Sequence, residues 1–356
     1  MAALEVMKGG NVQWNTAMEL FQTAEDHYLH GYKDDQKEDN EGNALKDLTV
    51  SKNVSKQALQ QMNSRHIESI VNVRHNMGEL LRQQERYGRA VAKLRSALDV
   101  AKLALECEYE RHEQQSVSEE DPPTSATDGN GPSTDEQRNL IVELQVKIAD
   151  TLMSDEQYDE AAEAYEAALT SHIFFRRWSD GRYVEQLQRN DPSATVLPAT
   201  STTTFKKVLS KSDLTTVTTM EAAIRKNLAH ALAQIGRGKL SHEHYESSLA
   251  IFRHHGGDFH MEVANTLMGL GALLGGPMRD FSRALNCFKE ALHIYRNNLD
   301  ELDNDNMNGA GGNAGSLMMF EESEEIEGQI QNALKNISLI EAALLKERDG
   351  AKKRRP

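Results

Sequence analysis

Histidine is the first residue type here that could do chemistry, with 13 copies. His242 and His244 in SHEHY stand two apart. On a helix that spacing turns them roughly 200° from each other, so they cannot share a metal as an i, i+4 pair does. His254, His255 and His260 in RHHGGDFH read as solvated turn histidines. The glycine-rich stretch Gly269 to Gly276 (GLGALLGG) lacks the preceding strand and the lysine that a phosphate cradle needs. Cys107 and Cys287 form no close-spaced motif, which leaves neither a disulfide framework nor a thiolate zinc site and fits a reducing compartment. No G-x-S-x-G and no Cys, His and acid set points to a nucleophile. The expectation is a protein that is not an enzyme and holds no metal or cofactor.

Composition narrows the classes further. The 356 residues carry 40 Lys plus Arg against 55 Asp plus Glu, a net charge of -15, with 38% hydrophobic residues and a mean hydropathy of -0.62. Such low apolar content implies that part of the chain does not pack. An acidic chain is ill suited to phosphate backbones, so nucleic acid is not the expected partner; a protein surface is. No apolar run approaches the roughly 20 residues that span a bilayer, and residues 1–11 lack the basic start and apolar stretch of a signal peptide. The chain reads as soluble and cytoplasmic, with no membrane partner. The terminal AKKRRP leaves nuclear import open.

Low-complexity breaks separate the packed pieces. Residues 114–136 (QQSVSEEDPPTSATDGNGPSTDE) read as a disordered acidic loop, 301–320 as a Gly/Asn linker, 179–219 as an insertion and 33–43 as a charged linker. Between them, apolar residues recur every three or four positions, as in Met77, Leu80, Leu81, Val91, Leu94, Leu98, Ala101 and Leu105. That is helical periodicity, and strand-like alternation is nearly absent. The fold class is all-α.

The helices repeat. Gly78, Tyr87, Ala90, Leu94 and Ala97 recur as Ala149, Tyr158, Ala161, Tyr165 and Ala168. A third copy gives Ala229, Ser241, Tyr245 and Ser248, and a fourth gives Gly271, Phe281, Ala284, Phe288 and Ala291 with one extra residue in its turn. Trp14, Ala17, Phe21 and Ala24 match half a unit. Small residues at such spacing allow two antiparallel helices to approach closely, and the aromatic fills the groove toward the next unit. Expected boundaries are a partial repeat at 1–32, repeats at 44–113 (with a long first helix), 137–178, 220–256 and 257–300, a capping helix at 321–349 and a basic tail at 350–356.

This pattern resembles the tetratricopeptide repeat family, and the resemblance covers roughly half of the chain. It implies a right-handed superhelix of antiparallel helix pairs, here with disordered loop insertions. The separation of 42 from Ala229 to Gly271 exceeds the 34-residue unit and is similar to the repeats of kinesin light chains. In those, an asparagine two before the small residue contacts the backbone of an extended peptide. Asn76 and Asn227 hold that position, and Lys147 and Gly269 replace it in the other copies. The capping helix has Ile326, Ile330, Leu334, Ile337, Ile340, Leu344 and Leu345 at helical spacing, as the open end of a solenoid requires.

By this resemblance the first helices line the concave side, so Asn72, His75, Asn76, Glu79, Arg82, Asp150, Lys226, Asn227 and His230 face a ligand, with Met268 adding an apolar contact. The expected function is a non-catalytic adaptor that binds a peptide segment of another protein. The alternative is an acidic escort for basic proteins such as histones, acting through Glu119 to Asp121 and Glu321 to Glu327. Oligomeric state is not legible.

Overall fold

The computed structural model describes residues 18–26, 64–118, 134–179, 217–307 and 313–353, and all secondary structure among them is helical. The 33–43 linker, Trp14, residues 119–133 of the acidic loop, residues 180–216 of the insertion and the last three residues lie outside the described residues. Two compact units divide the chain, Met1–Thr202 and Thr203–Pro356.

The first unit holds α1 (18–26), α2 (Ser64–Gln83), α3 (Tyr87–Ser118), α4 (Thr134–Ser154) and α5 (Tyr158–Ser179). Helices α2 to α5 each pack on the next in sequence. Over the described residues α3 is the longer member of its pair, 32 residues against 20 for α2. It runs to Ser118, and α4 starts at Thr134, so both ends of the 114–136 stretch are helical. Buried Glu25 ties α1 to the pair, accepting from Arg74 Nε at 2.7 Å and Lys93 Nζ at 3.1 Å. Burial pushes the Glu25 carboxyl up, but the two cations outweigh it and hold it below the usual range.

The second unit holds α6 (Thr219–Gln234), α7 (Gly238–Gly256), α8 (Met261–Gly275), α9 (Phe281–Met307) and α10 (Asn313–Lys353), again packed in sequence. Thr218 starts α6 by accepting the Glu221 N–H on its hydroxyl, the Thr-x-x-Glu signature of a helix start. The Gly/Asn stretch is shorter than the sequence suggests, since α9 runs to Met307 and α10 begins at Asn313. Along α10, Ile326, Ile330, Ala333, Ile337 and Ile340 are buried in the core shared with α8 and α9. Leu345, expected on that face, is 54% exposed.

The turns within pairs repeat as well as the helices. Glu85, Glu156, Gly236 and Arg279 each have positive φ, between 53° and 76°. Behind the first three, Arg86, Gln157 and Arg237 return an N–H to Leu81, Leu152 and Leu232, five residues back. This six-to-one bond with a left-handed residue before it is the Schellman stop, which satisfies the last helical carbonyls. In the fourth pair the bond runs from Asp280 to Leu274, six residues back. The extra residue seen in the sequence is absorbed there.

Close approach within pairs comes from the small residues. A Cβ on Gly78 would lie 2.7 Å from Leu94 Cγ, and one on Gly271 would lie 2.7 Å from Phe288 Cε1. Ala90, Ala149, Ala161, Ala229, Ser241 and Ala284 are all fully buried. Where serine replaces alanine, its hydroxyl crosses between helices: Ser241 donates to the Ala229 carbonyl at 2.6 Å and Ser248 to the Ala222 carbonyl at 2.7 Å. The aromatics that follow, Tyr165, Tyr245 and Phe288, are buried in the core, as is Tyr295 two turns beyond the last.

One polar cluster is buried between α6 and α7. Glu221 Oε1 accepts from Arg225 Nε at 3.0 Å and Nη2 at 2.7 Å, with the two side chains 1% and 5% exposed. His244 faces this pair from α7, and its buried Nδ1 has no hydrogen-bond partner among the described residues. Burial first, and the Arg225 charge second, lower its pKa from 6.5 to about 4. Between those two values the unfolded chain takes a proton that the folded chain refuses. The neutral histidine is therefore fully accommodated above pH 6.5, and stability is lost as pH falls toward 4, by up to roughly 3 kcal/mol. His244→Leu is expected to flatten the fall of unfolding free energy over this window, read from urea melts at several pH values. Parallel curves for the two proteins would remove His244 as the cause.

Candidate functional site

In the first unit, the face formed by α2 and α4 is a charge cluster. Glu79 takes Arg82 on both Nε and Nη2, one helical turn apart, with Nε at 3.1 Å from Oε1. The Arg82 hydrogen bond holds the Glu79 carboxyl below its usual range against the effect of burial. Asp150 accepts the Tyr165 hydroxyl, and burial pushes its pKa up. His75 feels the charges of Glu143, Lys147 and Glu79, yet burial dominates and lowers its pKa. Exposed Asn76 and Asn72 lie on the same helix.

In the second unit, a cleft of about 690 Å³ is lined from all five helices. Lys226, Asn227 and His230 come from α6, Tyr245 from α7, Met261, Glu262, Asn265 and Gly269 from α8, Asn298, Glu301 and Leu302 from α9, and Glu322, Glu325, Ile326 and Gln329 from α10. Lys226 Nζ meets Glu262 Oε2 at 2.6 Å. Burial raises the Glu262 carboxyl, but Lys226 and the Asn265 amide overcome this and leave it below the usual range. Asn265 is pinned from both sides, donating to Glu262 Oε1 at 3.2 Å and accepting the Tyr295 hydroxyl at 2.8 Å. Asn298 donates to the carbonyls of Phe259 and Ile294, both at 2.9 Å. Burial keeps His230 below its usual pKa. A Cβ on Gly269 would fall 2.7 Å from the Tyr245 hydroxyl, so glycine there is what lets that ring reach the cleft.

Two stretches match sequence models of the tetratricopeptide repeat, residues 142–171 and 220–297. They cover the greater part of α4 and of α5, and α6 through most of α9. These two stretches are tetratricopeptide repeats. Among solved structures it is similar to BtubC (BKLC) from P. vanneervenii, at 18% identity over 88% of this chain and 94% of that one, with a TM-score of 0.41. No curated protein matches the sequence.

Within the repeats, the residues singled out from the sequence go three ways. Lys226, Asn227 and His230 meet in the second-unit cleft. His75, Glu79, Arg82 and Asp150 are near enough to shift one another's titration, but Glu79 and Arg82 hold each other and Asp150 holds Tyr165. Asn72 lines a separate cleft of the first unit, and Asn76 lies exposed. Met268 does not line the second-unit cleft; it packs against the core, because the step from Gly269 to its neighbour rotates about 100° round the helix. Met261, Leu302 and Ile326 supply the apolar surface instead.

Asn265 escaped the sequence reading, although it lies four residues before Gly269 on the same helix face. The α10 contribution was signalled only through the alternative reading, whose acidic stretch Glu321 to Glu327 supplies Glu322 and Glu325 to the cleft. The turn histidines do separate work: His255 Nε2 lies 2.6 Å from the Val217 carbonyl, and His260 stacks on Phe252 and accepts the Glu262 N–H. Among the described residues, no group of three or more His, Cys, Asp or Glu is placed to hold a metal ion, and no helix is long and apolar enough to cross a membrane.

Proposed function

We propose that this protein is a non-catalytic adaptor that receives an extended peptide segment of a partner protein in the second-unit cleft. The observation that carries the reading is the convergence of Asn227, Asn265 and Asn298, from α6, α8 and α9, beside the apolar surface of Met261, Leu302 and Ile326. Carboxamides both donate and accept, which suits a peptide backbone whatever its sequence. The neighbouring apolar surface and the Tyr245 ring then choose among side chains. Two of these residues are fixed by bonds to neighbouring groups, so the site is largely organised before a ligand arrives. In a kinesin light chain-type arrangement, Asn76 would hold a peptide backbone at the first unit. Cys107 and Cys287, neither joined in a disulfide, fit work in the reducing cytoplasm.

The test is affinity capture from lysate with quantitative mass spectrometry, comparing the wild type with Asn76→Ala plus Asn227→Ala. Loss of two backbone hydrogen bonds is expected to cut recovery of a shared partner set roughly tenfold. Full retention of every partner by a variant with unchanged circular dichroism would count decisively against the groove.

A further inference from the structure

The first unit has its own cleft, about 460 Å³, between α2, α3 and α4. Its floor is aliphatic, from Ile67, Val71, Ala101, Ala104 and Leu140. Four carboxylates form the rim: Glu68 from α2, Glu108 from α3, and Glu136 and Glu143 from α4. No lysine, arginine or histidine is among its lining residues. Gln137 donates from Nε2 to Glu108 at 2.8 Å, which holds that carboxylate in place.

We propose that this cleft docks a basic segment of a partner protein, laying lysine or arginine stems on the aliphatic floor with their charged heads at the glutamate rim. Each part of the wall matches one part of such a side chain: methylenes against aliphatics and cation against carboxylate. An acidic segment would meet four like charges, and a wholly apolar one would strip water from carboxylates while giving them no partner. The glutamates involved are neither the loop acids Glu119 to Asp121 nor the cluster Glu321 to Glu327. The site lies in a different unit from the cleft of the preceding section, and its fate does not depend on that reading.

The experiment uses the full chain and two labelled peptides of equal length, one alternating lysine with leucine and alanine, the other with glutamate replacing lysine. Fluorescence anisotropy is expected to show binding of the lysine peptide alone. Carbodiimide coupling, which joins amines to touching carboxylates, is expected to link it to Glu68, Glu108, Glu136 or Glu143. Glu68→Lys with Glu143→Lys, both exposed positions, is expected to weaken binding about tenfold or more, with the thermal melt unchanged. The proposal is overturned by equal binding of the two peptides, by coupling confined to other carboxylates, or by undiminished affinity of the double variant. Coupling of the chain's own Lys52 or Lys56 to the rim in the absence of peptide would also overturn it, by making the occupant internal.

Discussion

Alanine in place of Phe288 is expected to destabilise the second unit by about 3–5 kcal/mol. The ring is 2% exposed and lies directly against Gly271, where even a methyl would come within 2.7 Å of it. Helices α8 and α9 are thus already at contact distance, with buried Ala284 holding a second point of the pair. They cannot close further to fill the space the ring leaves, which places this site at the costly end for a cavity. Urea unfolding followed by circular dichroism measures the loss, and a change below about 1 kcal/mol would show that the pair relaxes freely. Gly271→Ala alone is expected to cost about 1–3 kcal/mol by overpacking. Combined with Phe288→Ala, its methyl enters the vacated space, so the double variant should lose less than the sum of the singles.

Removing one partner of the buried ion pair is the other large effect. Glu221→Ala is expected to cost about 3–5 kcal/mol, because Arg225 then remains desolvated with its charge uncompensated. The pair sits at 1% and 5% exposure, and Nε and Nη2 of the guanidinium both donate to one Glu221 oxygen. The Thr218 cap uses the backbone N–H of residue 221, so the helix start survives the substitution. Replacing both residues, as Glu221→Leu with Arg225→Met, is expected to recover most of the loss, since no charge then stays buried. Equal stability of the single and double variants would mean that the damage comes from packing and not from the stranded cation.

The parts of the fold that show in the sequence are those where one residue type is sterically compelled. Gly78 must be small because Leu94 lies over it, and Gly271 because Phe288 does, so the repeat can be read from glycine, alanine and serine alone. The extra residue in the fourth turn is also visible and is absorbed by a longer return bond. Other features depend on distant neighbours. Asn265 reaches its place through Tyr295, thirty residues away, and nothing local distinguishes it from any exposed helical asparagine. Glu79 and Arg82 were visible as groove candidates, yet their spacing of three lets them satisfy each other first. The neutral state of His244 comes from burial against Arg225 on another helix, which no spacing rule reports.

The C-terminal helix does two jobs with two of its faces. Ile330, Ile337 and Ile340 seal the core, while Glu322, Glu325 and Gln329 wall the cleft, and Ile326 belongs to both. Whatever occupies the cleft therefore binds only the docked form of α10, and the free energies of docking and of occupancy are reciprocal. An occupant slows hydrogen exchange along α10, and a change that loosens α10 weakens the occupant by the same factor. Helix α10 is thereby also the gauge of whether the cleft is filled.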